Sequence, residues 1–134
     1  MKYLLDTVTI SDLIKKSPSS KVLSWVVAQA DVDLYLSVIT IGEIRKGIEL
    51  ARPTNPTMAL HFEGWLTSLI ANYGNRVLPF DLAASQAWGT MMARAHADIE
   101  DSQIAAIAHS RGMTVATKNV ADFAPFGISI FNPF

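Results

Sequence analysis

The chain has 134 residues, half of them hydrophobic and 17% charged, with a formal net charge of −1. Those values describe one globular domain with a sizeable core and exclude a disordered chain, and near-neutrality argues against nucleic-acid binding by bulk electrostatics. There is no cysteine, which excludes a disulfide framework and a thiolate metal site, and the three histidines (His61, His96, His109) show no ligand spacing.

The amino terminus, MKYLLDT, meets an acidic residue too early for a signal-peptide core. No apolar stretch reaches the roughly 18 residues that a membrane span requires. A soluble, cytoplasmic protein without a membrane partner is expected.

Taken in chain order, residues 2–5 (KYLL) read as a short buried strand ending at Asp6, followed by a helix over about 9–16 stopped by Ser17-Pro18. Ser19 or Ser20 can cap the next helix, KVLSWVVAQA, whose apolar positions 22, 23, 26 and 27 follow helical spacing. The apolar run LYLSVI (34–39) reads as a second inner strand; Thr40-Ile41-Gly42-Glu43 then opens a helix running to about residue 51, ended by Pro53. PTNPT is a loop and MALHFEGWLTSLIANY a long amphipathic helix. RVLPF (76–80) is a third strand, and Asp81 caps the helix LAASQAWGTMMARAHA. A helix from about Ser102 ends at Gly112, MTVAT is a fourth strand and ISIF a fifth. Strands alternating with helices imply a three-layer α/β domain, with a mostly parallel central sheet flanked by helices, over residues 1–134.

Four acidic residues stand at the edges of apolar runs: Asp6, Glu43, Asp101 and Asp122. Carboxylates at the carboxyl ends of parallel strands face the crevice in which open α/β sheets bind ligands. Each also has a plainer reading. Asp6 can cap a helix, and Thr40-x-x-Glu43 is a capping box. Asp101 can cap the SQIAAIA helix, with Asp98 and Glu100 as rivals, and Asp122 with Asn119 fits a turn. Two like charges about 4 Å apart repel by roughly 4 kcal/mol at an effective dielectric near 20. Four brought together therefore call for a cation, and oxygen-only ligation selects Mg²⁺ or Mn²⁺.

The LLDT start, SVITIGEIRKGI, DSQIAAIA and TVATKNVADF, together with VLPFD and the closing ISIFNPF, resemble the PIN-domain ribonucleases in order along nearly the whole chain. They are most similar to the VapC-type toxins of toxin–antitoxin pairs, including the plasmid-stability and FitB-like branch. The resemblance implies a PIN fold and Mg²⁺- or Mn²⁺-dependent cleavage of RNA by a metal-activated water. It maps an acidic quartet of catalytic metal ligands onto Asp6, Glu43, Asp101 and Asp122, with supporting roles for Thr7, Thr117 and Asn119. It further implies a cognate antitoxin, an RNA substrate (a tRNA at family level), operator DNA reached only through the antitoxin, and a homodimer. Val8 stands where many relatives carry Asn, and the approach from Arg94 to Asp101 is short. Lys15, Lys16 and Lys118, near the expected site, are candidates for contact with RNA phosphates, and Arg45 and Lys46 lie in the same region. Trp25, Trp65 and Trp88 are candidates for interfaces or for the core.

Two other functions compete. A phosphohydrolase of the haloacid dehalogenase type needs a second Asp two residues after the first, where this chain has Val8. A catalytically weakened PIN-fold binding module, acting through an antitoxin or RNA, is opposed by the intact quartet.

Overall fold

The computed structural model describes residues 1–95 and 98–134. Its elements alternate from the start: β1 (Tyr3–Leu5), α1 (Thr7–Asp12), α2 (Ser20–Ala28), β2 (Leu34–Ser37), α3 (Val38–Ala51), α4 (Pro56–Tyr73) and β3 (Val77–Leu78). There follow α5 (Leu82–Arg94), α6 (Ile99–Ser110), β4 (Thr114–Ala116), α7 (Val120–Phe123) and β5 (Ile130–Phe131). All four pairings are parallel, in the order β3-β2-β1-β4-β5, as the alternating pattern predicts. The chain lays β2 and β3 to one side of β1, then returns to place β4 and β5 on the other. The strand order thus reverses between β1 and β4, where an α/β sheet opens a crevice at its carboxyl edge. Asp6 and Thr117, the residues that end those two strands, face each other there.

Several boundaries differ from the sequence reading, each for a local reason. The first helix covers Thr7–Asp12 rather than 9–16, because the Asp6 side chain already caps Thr9 N–H at 2.9 Å. β2 ends at Ser37, and α3 begins at Val38, with the Ser37 hydroxyl accepting from Thr40 N–H at 3.1 Å. Thr40 therefore lies inside the helix, and the expected Thr40-x-x-Glu43 capping box does not form. The helix expected from Ser102 begins at Ile99, capped by Asp98, which accepts from Asp101 N–H at 3.1 Å. The expected end of α5 in RAHA falls at Arg94, with residues 96–97 outside the described ones. Asp122 sits in α7 rather than in a loop.

The carboxyl end of α6 is the best-specified turn. Met113 N–H donates to Ala108 C=O at 2.9 Å and Gly112 N–H to His109 C=O at 3.2 Å, which is a Schellman motif. Gly112 supplies its left-handed residue, at φ +65°. The turn sends the chain directly into β4.

Side-chain alternation along the strands divides the interior in two. On one face Leu4 and Val115 pack against α5, α6 and α7 through Met91, Ile104, Ile107 and Phe123. On the other, Leu5, Leu36 and Ala116 pack against α1, α3 and α4 through Ile10, Ile48 and Leu66. Helix α6 lies close on the sheet because Ala105, Ala106 and Ala108, all fully buried, present no bulk. No helix among the described residues is long and apolar enough to cross a membrane.

Candidate metal centre

Asp6 is 2% exposed, yet its carboxylate is fully oriented. Oδ1 accepts Thr9 N–H at 2.9 Å and lies 2.7 Å from Thr9 Oγ1, which is also 2.9 Å from Ala116 C=O. Oδ2 accepts the Thr117 hydroxyl at 2.6 Å, and Thr117 Oγ1 in turn accepts Asn119 N–H at 2.9 Å. A carboxylate offers about four lone-pair sites. Oδ1 is engaged by Thr9 and, among the described residues, Oδ2 by the Thr117 hydroxyl alone, which leaves Oδ2 acceptor capacity to spare. Helix cap and crevice ligand are therefore compatible roles for Asp6: one oxygen serves each.

Glu43, released from the capping box, reaches α1 instead. Its Oε1 accepts the Thr7 hydroxyl at 2.8 Å, and Thr7 Oγ1 lies 3.0 Å from Thr40 Oγ1. Partial burial pushes the Glu43 carboxyl above its usual range against the Thr7 hydrogen bond, with the charges of Glu100, Asp98 and Asp6 adding to the rise. Asp101, in the first turn of α6, is pushed up to about 6 by burial first and then by Asp98, Asp122, Asp6 and Glu43. Its carboxylate thus feels the other three members of the expected quartet. Asp122 is exposed on α7, at the rim. Of the supporting residues, Thr7 orients Glu43 and Thr117 orients Asp6, whereas Asn119 contributes its backbone N–H and its side chain forms no cap.

Among the described residues no three of Asp, Glu or His stand close enough to form a ready-made cation cage. The donor set, all oxygen and part water-accessible, suits a hard cation that keeps several of its own waters, as Mg²⁺ does.

Three contributors escaped the sequence reading. Thr9 and Ser37 act through local hydrogen bonds, and the only sequence signal for them is their place beside a strand end. Asp12, 5% exposed, accepts Ser19 N–H at 2.9 Å and pairs with Lys15 at 3.2 Å. The Ser19 hydrogen bond holds its carboxyl below the usual range against burial, aided by Lys15 and Lys118. The Asp12–Lys15 spacing of three was the available signal. Lys118 projects over the Phe134 ring at 5.4 Å, and Lys16 is exposed. Arg45 is engaged elsewhere, with Glu49 at 3.1 Å and Glu63 at 2.6 Å.

A groove of about 440 Å³ runs from Thr7 and Glu43 between α1, α3 and α4, lined by Ile14, Ile44, Ile48, Met58, Phe62 and Trp65. Trp65 is thus a groove residue. Trp25 instead packs edge-on against Tyr3 at 4.8 Å, and Trp88 hydrogen-bonds to Ser102 at 2.9 Å.

A five-stranded parallel sheet whose order reverses between β1 and β4, flanked by helices, defines an α/β protein with Asp6 at that reversal. The PIN domain matches residues 3–124, and the chain belongs to that family. It is 38% identical to the plasmid stability protein StbB of Pseudomonas syringae, covering 98% of this chain and 97% of that protein. To a VapC ribonuclease of Sinorhizobium fredii it is 37% identical, covering 98% and 96%. The crystal structure of FitAcB from Neisseria gonorrhoeae superposes with a TM-score of 0.90 at 30% identity, covering 98% of this chain and 97% of that one.

Proposed function

We propose that this chain is the toxin of a type II toxin–antitoxin pair, an endoribonuclease dependent on Mg²⁺ or Mn²⁺. The observation that carries the reading is the PIN-domain match over residues 3–124 in a chain similar throughout to a VapC ribonuclease; the charges of Asp6, Glu43 and Asp122, which raise the Asp101 carboxyl, support it. Asp6, Glu43, Asp101 and Asp122 would hold the cation, whose charge would polarise a scissile phosphate and acidify a water for in-line attack. Thr117 and Thr9 fix the Asp6 carboxylate, and Thr7 fixes Glu43, before substrate arrives. Lys15, Lys16 and Lys118 are assigned to phosphates flanking the cut.

The apolar groove beside Glu43 supports a partner as well as a substrate. It fits an amphipathic segment of an antitoxin whose Arg could engage the crevice carboxylates bidentately. Operator DNA would be reached through that partner, and a homodimer of the toxin is part of the same reading.

Purified protein should cleave RNA with Mg²⁺ or Mn²⁺ and fall silent in EDTA. Asp6→Ala and Asp101→Asn, with the fold retained by circular dichroism, should each lose activity by about 10²-fold or more. Metal-independent cleavage, or full activity in both variants, would refute the mechanism.

A further inference from the structure

The first turn of α6 carries Asp101 and is fully buried only at its Ser102 end. Ile99 is 57% exposed, and the turn follows directly on the link from the end of α5. Among the described residues, the side-chain hydrogen bond that reaches this turn from outside the helix comes from α5. The Trp88 indole N–H donates to Ser102 Oγ at 2.9 Å, and the fully buried Ser102 hydroxyl donates to Ile99 C=O at 2.6 Å. Trp88 is itself held edge-on against Phe80, with ring centroids 6.5 Å apart at 81°. The two hydrogen bonds tie α5 to residues 99 and 102, which bracket Asp101.

We propose that Trp88 is a positioning residue, acting through Ser102 to fix the first turn of α6 and so the direction in which Asp101 faces the crevice. The proposal rests on the reading of that crevice as an RNA-cleaving site. Its physical basis is angular: Asp101 has its own capping bond from backbone to Asp98, but that bond lies within α6 and cannot set the turn's placement relative to β1 and α3. The indole adds a tie from a second helix of the same core at the start of α6, ahead of the stretch that packs directly through Ile104 and Ile107.

Trp88→Phe keeps an aromatic ring against Phe80 and deletes the donor; Ser102→Ala deletes the bridging hydroxyl. Each should retain the wild-type circular dichroism spectrum. Amide exchange at residues 101–103 should rise by about tenfold in metal-free protein, while exchange in β1 and β4 stays unchanged. Calorimetric titration should show Mn²⁺ binding weakened by roughly three- to tenfold, and RNA cleavage should lose about tenfold in kcat at unchanged KM. The double variant should be no worse than either single one, since both break the same relay. Unchanged exchange at 101–103 in a folded variant overturns the anchoring, and wild-type kcat and Mn²⁺ affinity overturn its functional role. Additive losses in the double variant overturn the relay. If Trp88→Phe does not fold, Ser102→Ala decides alone by the same readouts. Wild-type protein inert toward RNA would refute the proposed function instead, and the exchange measurement would still decide the anchoring.

Discussion

Asp6 and Asp101 are both proposed as ligands of the cation, and they sit in different surroundings. Asp6 is buried but surrounded by donors from Thr9 and Thr117, which fix its direction. Thr117→Val preserves the volume and removes the donor to Oδ2, so cleavage should fall by about tenfold or more, with Mn²⁺ affinity falling in parallel. Unaltered Mn²⁺ affinity in that variant would show that Thr117 does not orient Asp6 as a ligand. Asp101 has few donors and many like charges, and its carboxyl is raised from 3.8 to about 6. The folded chain therefore binds that proton more tightly than the unfolded chain does. The associated stability is complete below about pH 4 and is lost as the pH rises through about 6. In metal-free buffer, the thermal midpoint of wild type relative to Asp101→Asn should decline across that window. Saturating Mg²⁺ should reduce the decline, because the cation replaces the proton as counter-charge. A flat difference from pH ~4 to ~7 would contradict the assignment.

At the scale of elements, the site depends on where helices begin. Moving the start of α3 from Thr40 to Val38 rotates Glu43 out of a capping box and toward Thr7. Moving the start of α6 to Ile99 makes Asp98 the cap and frees the Asp101 carboxylate for the crevice. Asp98→Ala should thus destabilise the protein by about 1 kcal/mol through loss of the cap. Its effect on cleavage should be smaller than that of Asp101→Asn; the reverse order would make Asp98 the functional acid. At the other end of the same helix, Gly112 stands at φ +65° in the Schellman turn. Gly112→Ala should cost roughly 1 kcal/mol in denaturant unfolding without changing the m-value.

For the whole molecule, the groove and the crevice adjoin but use different chemistry, and they should be separable. Gly47 lines the groove, and a Cβ built there meets no atom within 4 Å. Gly47→Leu should fill the groove while leaving the helix intact. It should weaken inhibition by the cognate antitoxin by about tenfold or more, and RNA cleavage should persist. Loss of cleavage with inhibition intact would reverse the assignment of the two surfaces.

The alternation of strands and helices and the parallel sheet were legible in the sequence, and so were the boundary positions of Asp6, Glu43, Asp101 and Asp122, the residues proposed to hold the cation. Periodicity is a local property, and each acidic residue interrupts an apolar run at a strand or helix boundary. The PIN resemblance joined those four before any geometry was known. The sequence could not decide which of two nearby hydroxyls or carboxylates takes the cap, because Ser37 and Thr40, or Asp98 and Asp101, are chemically equivalent candidates. For Ser37 and Thr40 that choice follows from how far β2 pairs with β3 before the chain turns. Nor could it pair Thr117 with Asp6, Thr7 with Glu43, or Trp88 with Ser102. Those partners are distant in the chain, and only the return of β4 beside β1, the packing of α1 on α3 and that of α5 on α6 bring them together.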